Sequence, residues 1–149
     1  MTTDSLFDKK FDDLKKEANN DVKINVADLG RSASENPKLY VKYLDKLSTE
    51  VVQLDKLERE KARLYKSRWS YYMGHAPEEE YKKSPLREKI QKADINKYID
   101  ADPLMLEMSA RIDRQKVLVR YLEDVIKAIK DRQFSIKAAI DWQKFQSGA

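Results

Sequence analysis

The sequence predicts an all-α protein, with long helices and short connecting helices packed as a helical bundle or coiled coil. Three observations carry that class. Charged residues make up 38% of the 149-residue chain against 41% hydrophobic, a balance that suits long solvated helix faces. Only three Gly are present, too few for a protein rich in turns or loop-built pockets. Two apolar series also recur at the mean 3.5-residue spacing of a helical seam.

The first element predicted is a helix from Ser5 to about Ala18, after an Asp4-Ser5 start signal, with Leu6, Phe7, Phe11 and Leu14 at helical spacing. Asn19-Asn20-Asp21 closes it, and Val22 to Val26 reads as an extended connector into a short helix from Ala27 to Glu35. Asn36-Pro37 then starts a long helix, since Pro suits the first helical position and Asn can cap the open amides. Tyr40, Leu44, Leu47, Val51 and Leu54 step by four, three, four and three along it. Gly74-His75-Ala76-Pro77 ends it with an available left-handed position followed by a breaker.

Glu78 to Lys92 reads as a mobile connection with at most a short helical piece, and Ala93 to Ala101 as a brief helix through Ile95, Tyr98 and Ile99. Asp102-Pro103 announces the last long helix. Met105, Met108, Ile112, Gln115, Val119, Leu122, Ile126 and Ile129 step by three and four, and Ile136 and Ile140 continue the phase past a bend expected near Gln133. This seam is the predicted oligomerisation face, with Gln115 as the polar member that fixes register and strand number. Leu118, Val125 and Phe134 add a second apolar flank, which calls for more than one neighbouring helix. The organisation expected is one structural domain: residues 1–76 as an amino-terminal helical part, 77–102 as connector and 103–149 as carboxyl-terminal oligomerisation helices.

Composition excludes several function classes. There is no Cys, which removes disulfides, iron–sulfur clusters and thiolate zinc sites. No phosphate-binding loop, dinucleotide fingerprint, zinc-protease or kinase signature is present. His75 is the single histidine and sits in a turn, so a solvated residue is expected there rather than a catalytic one. Carboxylates are interleaved with cations, as Glu58 is with Arg59 and Lys61, which is how solvated helix faces look. No catalytic residue, metal or cofactor is therefore expected. No stretch is long and apolar enough for a membrane span, and cytoplasm is the expected compartment.

The formal net charge is only +4, so its distribution matters more than its size. Lys56, Arg59, Lys61, Arg63, Lys66 and Arg68 face only Glu58 and Glu60 within their window, a local excess as large as that of the whole chain. Trp69, Tyr71 and Tyr72 follow directly. Cations neutralise phosphates and release counterions while aromatic faces accept unstacked bases, so this stretch suits single-stranded nucleic acid. It equally suits a packed helix end, because cations are favoured by the helix dipole there and Trp69 and the tyrosines can pack a hairpin. Lys66 and Arg68 lie two residues apart and do not share one helix face, so repeated copies around a symmetry axis would be needed to use both on one strand.

Lys66-Ser67-Arg68 followed by Tyr71-Tyr72 and Gly74 resembles the basic segment of the UvsY family, the recombination mediators of T-even phages. Asp13-Leu14, Asp21-Val22, Leu39-Tyr40, Lys42 and Leu44 fall in similar order before it. Tyr81, Lys83-Ser84, Ala128-Ile129-Lys130, Arg132, Phe134, Ile136-Lys137, Phe145 and Gly148 do so after it. The likeness covers residues 13 to 149, with Trp69-Ser70 standing where the family has a Leu-Asp pair and a leader of about a dozen residues in front. The resemblance implies a ring-like homo-oligomer of six or seven subunits that binds single-stranded DNA and contacts a RecA-like phage recombinase and the phage single-strand-binding protein. It would favour loading of that recombinase without consuming nucleotide, in recombination, recombination-dependent replication and repair in the cytoplasm of the infected host. The family's Lys-x-Arg element falls on Lys66 and Arg68. Replacing both by Ala is expected to spare helicity and lose DNA affinity. The alternative is a structural coiled-coil adaptor contacting an acidic protein partner without DNA binding.

Overall fold

The computed structural model describes residues 2–148 as helices and short connections, with no strand among the described residues. Helix α1 spans Thr3–Asp21, α2 Leu29–Tyr72, α3 Glu78–Lys83, α4 Ile95–Asp100 and α5 Pro103–Gln146. A 3₁₀ turn over Lys92–Asp94 leads into α4. The all-α class read from the sequence is the one observed.

Thr2 rather than Asp4-Ser5 caps α1, its hydroxyl accepting from the Ser5 amide at 3.3 Å. Beyond the 22–28 connector, Asp28 receives the Arg31 amide at 3.0 Å and starts α2. The expected separate helix over 27–35 is corrected: α2 runs unbroken through Pro37 for 44 residues. Proline forfeits one i→i−4 bond, and nearby carbonyls gain other donors. Arg132, buried at 5% exposure, donates to the Ser32 carbonyl at 2.9 Å and to the Asn36 side chain at 3.0 Å. Its remaining N–H groups hold the connector through the carbonyls of Val22 and Lys23.

The described contacts group the chain into two compact units. One comprises residues up to Glu50 together with Leu118 onward. Its core packs Ala18, Tyr43, Leu118, Leu122, Val125, Ile126 and Ile129, flanked by Phe7, Phe11, Leu14, Leu39 and Leu47. Lys42 joins Glu17 at 2.7 Å and Asp21 at 2.6 Å, and the Tyr43 hydroxyl donates to Asp21 at 2.8 Å. The other unit comprises Val51–Val117, built around Ile95, Ile99 and Met105 with Leu64, Trp69, Tyr72, Met73 and Ile90 against them.

Two seam readings change. On α2, Leu44 and Val51 are exposed, and the buried column is instead Tyr43, Glu50 and Leu57, each seven residues on. Glu50 pairs with Lys10, a polar partnership that counting apolar residues overlooks. On α5, Met105, Ile112, Gln115, Val119, Leu122, Ile126, Ile129 and Ile136 are all buried within this single chain, and Met108 and Ile140 are half-buried. The seam is thus core of the subunit itself. Phe134, expected on the second flank, is 65% exposed. The helix passes Gln133 without a break.

Candidate nucleic-acid interface

The basic half of α2 divides by helical phase into two faces. Lys56, Arg59, Arg63 and Lys66 step by three, four and three, and all four are exposed. Residues so spaced share one face, and ten residues of helix rise about 15 Å, so these cations form a stripe. Arg59 pairs with Asp55 at 2.9 Å on the helix surface. Arg63 and Lys66 make no ion pair among the described residues, which leaves them able to meet phosphates. Lys61 and Arg68, seven apart, fall in phase with Leu57 and Leu64 on the half-buried face.

Arg68 is held tightly inside its own unit. Only 12% of its side chain is exposed; Nε donates to Asp102 Oδ2 at 2.8 Å and Nη1 to Glu80 Oε1 at 3.2 Å. Its guanidinium lies over the Tyr71 ring, 4.1 Å from the centroid, and 5.3 Å from that of Tyr72. Asp102, with 1% of its side chain exposed, also accepts the Tyr72 hydroxyl at 2.7 Å. Its Oδ1 takes the amides of Leu104 at 2.9 Å and Met105 at 3.2 Å, capping α5.

Burial alone would raise the Asp102 carboxyl. The bonds from Tyr72, the Met105 amide and Arg68 outweigh it and hold the group below its ordinary value. Burial likewise opposes the charge of Arg68, but Tyr72 and Asp102 more than offset it and raise its pKa. The result is a buried ion pair, favoured in its charged form, joining the carboxyl end of α2 to the amino end of α5.

The expected open aromatic faces at Tyr71 and Tyr72 are corrected for the same reason. Tyr71 is buried at 6% exposure, stacks on Tyr81 with centroids 5.3 Å apart and donates to the Ser84 carbonyl at 2.6 Å. Tyr72 meets Tyr71 edge-on at 5.0 Å. Trp69 is half-buried, packed on the Ile95, Ile99 and Met105 cluster and edge-on to His75 at 6.4 Å. The packing alternative for these residues therefore describes their surroundings. Tyr65 is the aromatic of the stretch with open surface, 42% exposed, its hydroxyl donating to Asn96 at 3.1 Å.

The turn after α2 fixes these side chains. The His75 amide donates to the Ser70 carbonyl at 2.8 Å and the Gly74 amide to that of Tyr71 at 3.1 Å, with Gly74 at φ +80°. This is the paired bonding of a glycine-terminated helix. Tyr81, from α3, locks the turn by accepting the Ala76 amide at 3.0 Å and donating to the Tyr71 carbonyl at 2.8 Å. Sequence reasoning gave Glu80, Tyr81 and Asp102 no such part. The Asp-Pro cap signal marked the place of Asp102, and nothing local marked its cation 34 residues earlier. Among the described residues no group of His, Cys, Asp and Glu could hold a metal ion, and no helix is long and apolar enough to cross a membrane.

The sequence profile of the family described as UvsY, recombination, repair and ssDNA binding protein, matches residues 17–149. The chain belongs to the UvsY family. The recombination protein uvsY of Enterobacteria phage T4 is 27% identical over 139 residues, 93% of this chain and 98% of that relative. Crystal structures of the bacteriophage T4 recombination mediator protein UvsY superpose with TM-scores of 0.79 and 0.77. The first is 27% identical and covers 90% of this chain and 98% of that one; the second is 26% identical and covers 91% and 96%. UvsY proteins are recombination, repair and single-stranded-DNA-binding proteins, and this chain carries that class of function on an all-helical frame with an exposed cationic stripe.

Proposed function

We propose that this chain is a recombination mediator that binds single-stranded DNA and promotes loading of a RecA-like recombinase onto DNA covered by single-strand-binding protein. The observation that carries the reading is the stripe of exposed cations on α2, with Arg63 and Lys66 making no ion pair among the described residues, in a chain of a single-strand-binding family. It works by binding alone, in the cytoplasm of the infected host. A mediator that favours the DNA conformation preferred by the recombinase lowers the cost of filament nucleation by its differential affinity and no more.

Self-assembly into a ring of six or seven copies multiplies one modest patch into a continuous track. Because the α5 seam is filled within the subunit, the assembly surface is moved to the apolar residues left outside. Phe134, Ala138, Trp142 and Phe145 step by four, four and three along α5. The three aromatics are 65%, 58% and 73% exposed, and Trp142 stacks on Phe145 at 5.6 Å. Large apolar side chains grouped on one exposed face are the mark of an interaction surface.

Fluorescence-anisotropy titration of an unstructured oligonucleotide and a duplex at several salt concentrations tests the DNA-binding half. Preference for the single strand is expected, with a slope in log salt that falls by about 0.7 for each phosphate contact removed in Arg63→Ala and Lys66→Ala. Equal affinity for both DNA forms, or variants that bind like the parent, would refute the assignment.

A further inference from the structure

A second run of cations lies outside the α2 stripe. From Lys82 to Tyr98 the chain holds Lys82, Lys83, Arg87, Lys89, Lys92 and Lys97 against Glu88 and Asp94, an excess equal to that of the α2 window. All six cations are exposed. Lys82 is paired with Glu78 and Lys97 with Asp94, whereas Lys83, Arg87, Lys89 and Lys92 make no ion pair among the described residues.

Within this run is a cleft of about 300 Å³ lined by Tyr72, Pro85, Leu86, Arg87, Glu88, Ile90 and Tyr98. Tyr98 is 43% exposed and its centroid lies 5.7 Å from that of Tyr72, so the neighbouring ring braces it while much of its own surface stays open. The hydrogen bond from Tyr65 to Asn96 ties the segment to α2 one residue before Lys66. An aromatic face beside an unpaired guanidinium suits one unstacked nucleotide, with the base on the ring and the phosphate on the cation. Glu88 at the rim is the one acid lining the cleft, outnumbered by the flanking cations.

We propose that the 82–98 segment is a second contact for single-stranded DNA, with Tyr98 as a base-stacking platform and Arg87 as a phosphate ligand. It extends the strand from the α2 stripe, and it rests on the single-strand-binding reading of the family. Duplex DNA offers no base face to Tyr98 and would gain only the charge contact.

The test is binding of oligo-dT and of a duplex, followed by anisotropy across a salt series, for the full chain and for Tyr98→Leu, Tyr98→Phe, Arg87→Gln and Lys66→Ala. Leu keeps apolar bulk against Tyr72 but removes the ring, so affinity should fall roughly 5- to 150-fold with the salt slope unchanged, the span of base–aromatic stacking. Phe should bind like the parent. Arg87→Gln, at an exposed position that makes no ion pair among the described residues, should lower the slope by about 0.7. If Tyr98→Leu and Arg87→Gln bind like the parent while Lys66→Ala weakens, the second contact is refuted and the α2 reading stands. If the parent chain does not prefer single strands, both fall together.

Discussion

Replacing Arg68 by Ala separates two roles that the sequence runs together. The substitution leaves the Asp102 carboxylate, with 1% of its side chain exposed, without its cation. Breaking a buried ion pair from one side costs about 3–5 kcal/mol, and stacking over the Tyr71 ring adds about 1 kcal/mol. The Glu80 contact, partly open to solvent, adds little. For a chain of this size each kcal/mol lowers Tm by about 2–4 °C, so a fall on the order of 10 °C is expected by circular dichroism. Asp102→Asn keeps an oxygen to cap Leu104 and Met105 and removes the charge. In that background Arg68→Ala should therefore cost at least about 1 kcal/mol less, the coupling expected of residues in direct contact. Below its new Tm, Arg68→Ala should keep the parent's salt slope for single-stranded DNA, because the guanidinium meets carboxylates and rings rather than phosphate. An unchanged Tm together with a slope lowered by about 0.7 would refute the anchoring role and return Arg68 to the DNA.

Gly74→Ala should destabilise by about 1–2 kcal/mol from backbone strain alone, since φ is +80° and a Cβ there meets nothing within 4 Å. Urea unfolding measures this, and a neutral result would contradict the helix-end geometry. Asp102, Asp21 and Glu17 are all held below their ordinary values despite burial. Their stabilisation is therefore full above the unfolded carboxyl range, about 3.9–4.3, and is lost as pH falls through the lower folded values. Tm should be level between pH 7 and 5 and drop below about pH 4, with a smaller drop in Asp102→Asn. Trp142→Glu with Phe134→Glu should leave helicity intact and reduce the assembled mass, measured by light scattering. A mass equal to the parent's would place the assembly surface elsewhere.

The helices were legible wherever the signal is local. Gly74 before Pro77, Asp102 before Pro103 and the Asn19-Asn20-Asp21 stop each act within a turn of the chain, and each marks a real boundary within a few residues. Pro37 misled because Arg132, about a hundred residues away, braces the turn before it through the Ser32 carbonyl and the Asn36 side chain, a support that no local window contains. The α5 periodicity correctly marked a buried face, but apolar spacing does not say whether the neighbour is the same chain or another. The cation cluster was visible as a cluster, while its division into stripe and anchor depends on helical phase and on where Asp102 lies. Tyr71 and Tyr72 look like stacking platforms in a list of residues and are spent on Arg68, Tyr81 and each other in three dimensions.

The most direct test of the central claim is the lag before a RecA-like recombinase forms filaments on single-stranded DNA already covered by single-strand-binding protein. Energy transfer between dyes on the DNA ends would follow the extension of the strand. The parent chain should shorten the lag, and the Arg63→Ala, Lys66→Ala double variant should leave it long while retaining its helicity. A lag that the parent chain leaves unchanged, at concentrations where it binds the DNA, would contradict the mediator account.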